Sequence, residues 1–202
     1  MTATPRPRRR LPLVNGMEDS PRGKLLSAAA SLFREQGYER TTVRDIAARV
    51  GIQSGSLFHH FASKEEILKA VMIDVIRFNT ERMRKAVDGA ADARARLRAL
   101  IECELQSIVG DTREAMGVLV YSWDGLSPAS QKEVLALRAD YEQIWLDVLE
   151  QLKKEGLIDI EPFVLRRLLT GAINWSSTWF DPKGPMSFGQ LVDTVFGMAV
   201  RR

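Results

Sequence analysis

From Ser20 onward, apolar residues recur at intervals of three and four, the period of an amphipathic helix. No stretch alternates convincingly with period two, so the pattern predicts an all-α fold of about nine helices. Start and stop signals divide it. Ser20 caps and Pro21 opens a helix with a stripe of Leu25, Ala29, Leu32 and Phe33, which ends near Gln36 with Gly37 as its stop. Val43, Ile46, Ala47 and Val50 form a second, short stripe behind Thr42, with Asp45 completing an approximate capping box. Gly51 breaks it, and a third helix runs from Gln53 or Ser54 to His60. Ser63 with Glu66 opens a long helix to about Asp88. Helices over 92–109 and about 112–123 follow. Ser127-Pro128 and Glu161-Pro162 open two more, ending near Glu155-Gly156 and at 181–185, and a last one begins near Ser187.

The segment 41–64 carries the most specific signal. Its two short helices meet through Ala47, Gly51 and Leu57: a small residue at the crossing, glycine in the turn, an apolar anchor beyond. That spacing is a helix-turn-helix, whose second helix is built to enter a major groove. The first residues of such a helix face base edges, while helix starts and flanking side chains hold phosphates. Gln53, Ser54 and Ser56 are the short polar groups able to reach bases, Gly55 lets the backbone come close, and Phe58 can lie against a thymine methyl. Thr42, Arg44 and Lys64 stand at helix starts and are phosphate candidates, and His59 faces the DNA backbone. Gln53, Ser54 and Ser63 also read as caps. His59 and His60 point about 100° apart on a helix and have no Cys or acidic partner at ligand spacing, so no metal site is expected.

The run Gly37-Tyr38…Thr41-Thr42-Val43-Arg44-Asp45-Ile46-Ala47…Gly51-Ile52…Gly55-Ser56-Leu57-Phe58-His59-His60-Phe61…Ser63-Lys64-Glu65 resembles the N-terminal domain of TetR-type transcriptional regulators. The likeness covers roughly residues 21–71, nearly without gaps, with glycines, caps and aromatics in register together. It implies that Thr42, Phe58, His59 and Lys64 are backbone contacts. The family usually carries tyrosine where this chain has Phe58, so one phenol contact to phosphate is missing here.

At 202 residues the chain suits one medium domain or a small head on a larger body, and 45% apolar content is ample for a core. The net charge of +3 is unevenly spread: residues 1–70 hold 12 basic against 7 acidic side chains, the remainder 17 against 19. A basic head on a mildly acidic body fits a protein that presents one end to a polyanion. The expected division is a flexible basic arm over 1–20, a DNA-binding head over 21–66 and a ligand-binding and dimerisation body over 67–202. Arg6, Arg8, Arg9 and Arg10 in the arm either reach a minor groove or are solvated tail. Cys103 is the single cysteine, so no internal disulfide forms; a buried thiol and a reducing cytoplasm are expected. No membrane span or signal peptide is read.

The body carries no catalytic arrangement. Both histidines are in the head, and neither G-x-x-x-x-G-K-[ST] nor G-x-G-x-x-G occurs. A binding module that needs no cofactor is expected, not an enzyme. Aromatics cluster in three body helices, and an apolar pocket is drawn from Tyr121, Trp123, Tyr141, Trp145, Asn174 and Trp175. Individually each aromatic also reads as core or interface. By the family resemblance, the last two helices pair across a two-fold into a homodimer. A narrower likeness, over 51–66 and over Asn174-Trp175…Trp179-Phe180-Asp181-Pro182-Lys183-Gly184-Pro185, is to the TetR-type repressors of steroid-ring and fatty-acid catabolism, which release DNA on binding an acyl-CoA. Where the steroid-sensing members have basic and aromatic residues, this chain has Thr170, Asn174 and Thr178. Arg166 and Arg167 meet an anionic ligand or form a solvated basic face. The expected function is a ligand-responsive repressor that binds a palindromic double-stranded operator and is released by a small hydrophobic or acyl-CoA effector. Three alternatives stay open: an efflux-gene repressor with a drug pocket containing Glu102, Glu104 or Asp124, a small acyl-CoA-handling enzyme, and an effector-free nucleoid protein.

Overall fold

The computed structural model describes residues 20–110 and 112–201. The expected basic arm, with its four arginines, lies outside the described residues apart from Ser20. Within them the chain forms nine α-helices and no strand: α1 (Pro21–Gln36), α2 (Val43–Val50), α3 (Ser54–Phe58), α4 (Lys64–Asp88), α5 (Ala93–Val109), α6 (Arg113–Tyr121), α7 (Pro128–Lys154), α8 (Pro162–Trp179) and α9 (Phe188–Ala199). Side chains close most helix starts. Ser20 accepts from the Gly23 amide, Ser63 from Glu66, Asp92 from Ala95, Ser127 from Ser130 and Glu161 from Val164. Each such cap is worth about 1 kcal/mol. Thr42 and Asp45, and again Ser187 and Gln190, form reciprocal capping boxes.

Two elements are shorter than the sequence pattern predicts, and tertiary contacts explain both. α3 stops at Phe58 because the amides of His60 and Phe61 both turn back to the Leu57 carbonyl, which swings Phe61 into the core. α6 stops at Tyr121, and a single 3-10 turn, Trp123–Gly125, follows. The tighter turn buries Leu126 and lays Gly125 on the Tyr38 ring, where a Cβ would come within 2.7 Å of ring carbons. Only glycine fits that approach.

Two apolar cores divide the molecule. The first joins α1–α3 and the first half of α4 to α6 and the start of α7, with Leu26, Phe33, Ile46, Leu57, Phe61, Leu68, Met72, Ile76, Val118 and Val134. The second joins the end of α4 to α5, α7, α8 and α9, with Met83, Leu97, Ile101, Leu105, Trp145, Leu149, Leu169, Ile173 and Val192. Helix α4 runs through both. Cys103 is buried in the second core, as expected of a lone structural thiol.

Candidate nucleic-acid interface and effector site

In the helix-turn-helix, α2 and α3 cross over Ala47 and Leu57, both buried, and Gly51 turns the chain with φ 80°. That left-handed conformation closes α2 and is open to glycine at little cost. With Leu57 inward, Gln53, Gly55, Ser56, Phe58, His59 and His60 are all exposed, and Ser54 is half-buried. Gln53 takes the N-cap position but makes no capping bond with its side chain, so its amide stays available. Phe58 is 55% exposed, a large apolar surface on the presented face.

The phosphate candidates differ in how free they are. Arg44 is exposed. Thr42 is exposed too, but its amide and its hydroxyl both donate to Asp45 Oδ2, each at 2.8 Å. Those bonds hold the Asp45 carboxyl below its ordinary pKa, so an anion already sits at the start of α2. Lys64 is half-buried. Its Nζ donates to the carbonyls of Tyr38 (2.9 Å) and Glu39 (3.3 Å) and stands 4.2 Å from the Tyr38 ring centroid. Two of its three donors therefore pin the α1–α2 turn, and one is left for a phosphate.

Beside it, Glu65 joins head to body. Its Oε1 accepts from the Ser127 amide (2.9 Å) and the Ser130 hydroxyl (2.8 Å), capping the start of α7. These bonds, Ser127's first, lower its pKa to about 2. Sequence reading singled out neither Glu65 nor Tyr38 for this joint, because their partners are separated from them by dozens of residues.

The six aromatic and polar residues drawn together as one pocket stand in three different settings. Tyr121 is 71% exposed, its ring stacked on the Arg34 guanidinium of α1 (4.7 Å). Trp123 packs against the head-side core. Tyr141 and Trp145 lie in the body core, and Asn174 and Trp175 are exposed on α8. Helical spacing placed these residues on helices but not the helices against one another.

Arg166 is neither solvated nor free for a ligand. It is 1% exposed, holds Glu142 through Nε (3.0 Å) and Nη2 (3.2 Å), and donates from Nη1 to Glu104 (3.2 Å). Its guanidinium also lies 4.3 Å from the Trp145 ring centroid. Burial works against its charge, but Glu104 and Glu142 more than offset that and raise its pKa. Burial likewise raises the Tyr141 phenol well above its usual value, helped by Glu104. The carboxylates expected of a hydrophobic-drug pocket are thus engaged or outside: Glu104 pairs with Arg166, while Glu102 and Asp124 are exposed. Arg167 is exposed over Phe163 (4.8 Å).

One face of α8 is apolar and uncovered. Val164, Leu168, Trp175 and Trp179 stand on it at helical spacing, with Leu168 58% and Trp175 68% exposed. No group of three or more His, Cys, Asp and Glu able to hold a metal occurs among the described residues, and no described helix is long and apolar enough to cross a membrane.

Comparison with known proteins agrees with this architecture. A family model described as bacterial regulatory proteins, tetR family, matches residues 25–71, and one described as tetracyclin repressor-like, C-terminal domain, matches residues 90–202. The HTH-type transcriptional repressor KstR2 of Mycobacterium tuberculosis (strain ATCC 25618 / H37Rv) is 34% identical over 183 residues, 88% of this chain and 90% of that protein. Among solved structures, superantigen pfit is 50% identical with a TM-score of 0.83, covering 94% of this chain and 93% of its own. AibR, solved in complex with isovaleryl coenzyme A and operator DNA, is 25% identical with a TM-score of 0.79, covering 88% of this chain and 97% of its own.

Proposed function

The chain belongs to the TetR family of transcriptional regulators and is not an enzyme, and from that premise we propose that it represses transcription by binding a palindromic operator as a homodimer, released by an acyl-CoA effector. The presented face of α3 carries the reading. Gln53, with no capping duty, and Ser56 address base edges, Phe58 addresses a thymine methyl, and Arg44 and Lys64 flank them toward phosphates. The exposed apolar face of α8, with α9 beside it, is the dimer surface, since large apolar patches on a soluble protein mark association sites. Two heads are needed because one short helix reads too few base pairs for useful specificity. The acyl-CoA assignment is supported by the likeness to AibR bound to isovaleryl coenzyme A, and by the neutralised Glu104, which leaves a cationic drug without a buried counter-charge.

Footprinting on the promoter of the chain's own gene tests the operator. A symmetric protected region is expected, with half-site centres about 34–36 Å apart or a multiple of that. Equal affinity for scrambled DNA at moderate salt would make the protein a nucleoid-type binder instead.

A further inference from the structure

Halfway along α4 the two apolar cores give way to a polar layer. Ile76 belongs to the head-side core and Met83 to the body core, and between them Asn79 and Thr80 are buried. Thr80 is satisfied within its own helix, donating to the Ile76 carbonyl at 2.7 Å. Asn79 is not comparably served. Its amide nitrogen donates to the thioether of Met116 on α6 (3.3 Å), a weak acceptor, while its Oδ1 accepts from Arg82 Nη2 (2.9 Å). Arg82, one turn on, also donates from Nη2 to the Cys103 carbonyl on α5 (2.6 Å). Its Nε–H is buried without a partner. Nearby Arg84 and Lys85 pair with Asp140 and Glu81, but Arg82 has no carboxylate partner among the described residues.

A half-buried guanidinium without a counter-charge and a buried amide bonded to sulfur are both costly arrangements. Here they stand one turn apart, where α4, α5 and α6 converge. Helix α6 covers them with a turn that is itself only half-buried, Glu114, Ala115, Met116 and Gly117. Met116, unbranched and flexible, is the kind of filler a ligand displaces.

We propose that Asn79 and Arg82 anchor an acyl oxygen of the effector, a carboxylate or a thioester carbonyl, which replaces the Met116 sulfur as acceptor and takes the unpartnered Arg82 Nε–H. The assignment rests on the reading that the body binds an acyl effector. It places the ligand on α4, which runs through both cores and whose first residues, Lys64 and Glu65, hold the head. Sequence alone carried a signal for it: Asn79 and Thr80 are polar residues standing in register with the apolar stripe of Ile76 and Met83.

The test uses the full-length protein, operator DNA selected from random sequence, and three probes: isovaleryl-CoA, octanoyl-CoA and octanoate. At least one probe should raise the melting temperature of the wild type and release DNA in fluorescence anisotropy. Release by octanoate alone assigns the anchor to a carboxylate, and release by the thioesters alone assigns it to the thioester carbonyl. Arg82→Met keeps an apolar side chain of similar length but removes the guanidinium, which also lies 5.5 Å from the Phe78 ring centroid, and with it the donors, so effector affinity should fall by about tenfold or more, one charge-assisted hydrogen bond. Operator affinity without effector should not change. If Arg82→Met does not fold, Arg82→Lys, which keeps the charge and loses the planar fork, carries the same expectation. Variants that bind the probes as tightly as wild type would overturn the anchor and leave the effector reading standing. A wild type indifferent to all three probes would overturn both.

Discussion

Lys64 is the residue at which folding and DNA binding draw on the same donors. Two of its N–H groups close the α1–α2 turn on the carbonyls of Tyr38 and Glu39, and the third is left for a phosphate. Lys64→Ala should therefore do two things. It should weaken binding to all DNA sequences alike and lower the salt slope by about one, as losing one phosphate contact does. It should also lower the melting temperature of the free protein, because two carbonyls lose their donor. Gln53→Ala differs in kind: its amide has no structural duty, so the change should relax base preference at one position by about 1–3 kcal/mol and leave the melting temperature alone. Salt-titrated binding curves beside thermal melts separate the two residues. A weaker complex with an unchanged slope would assign Lys64 wholly to the fold.

At the scale of elements, the joint between α4 and α7 decides how the head is held. Glu65 leaves α4 in the head and caps α7 in the body through Ser127 and Ser130. Its pKa is lowered from 4.5 to about 2, so its charged form is the one the fold favours. The stabilisation is then fully present above pH 4.5 and is lost as pH falls toward 2. Glu65→Gln should melt below wild type at neutral pH, and the gap between the two should narrow steadily over that acid interval. A gap independent of pH would show that shape and not charge makes the joint. Gly117 and Gly125 complete the seam, because a Cβ at either would collide with Arg34 or Tyr38 of the head. The head thus meets the body through a carboxylate cap, a stacked arginine and two glycine approaches.

For the whole molecule, the uncovered face of α8 is the feature a monomer does not explain. Leu168 and Trp175 lie on it among Val164 and Trp179, one apolar stripe on the outer side of a helix whose inner side holds Arg166, Leu169 and Ile173. Leu168→Glu changes nothing in the core and places a charge in the middle of the stripe. Sedimentation should move from dimer to monomer, and operator affinity should fall roughly 100-fold or more, since each head then binds without the other. The variant should still melt cooperatively. A variant that stays dimeric and binds normally would show that the partner surface lies elsewhere.

The helix-turn-helix is legible in the amino-acid sequence because everything that specifies it is local. Thr42 caps α2 five residues before Ala47 at the crossing, Gly51 closes α2 in the turn, and Leu57 is the next buried anchor, all within one short stretch. The starts of α1, α4, α5 and α7–α9 were legible for the same reason, since a capping side chain and the amide that donates to it stand three residues apart. Periodicity also identified which helices are apolar. It could not show which faces meet. Trp145 and Trp175 read alike as aromatics in helices, yet one is fully buried beside Arg166 and the other is two-thirds exposed. Arg166 and Arg167 are adjacent, and a rotation of about 100° puts one in a buried ion cluster and the other in solvent. The ends of α3 and α6 were set by Phe61 and Gly125 finding partners outside their own helices. The amino-acid sequence determined the elements, their caps and the reading head, because those depend on neighbours within a turn or two. Pairing of charges across helices, the uncovered face of α8 and the polar layer at Asn79 and Arg82 were decided only by tertiary packing, which sets the rotation of each helix against residues far away in the chain.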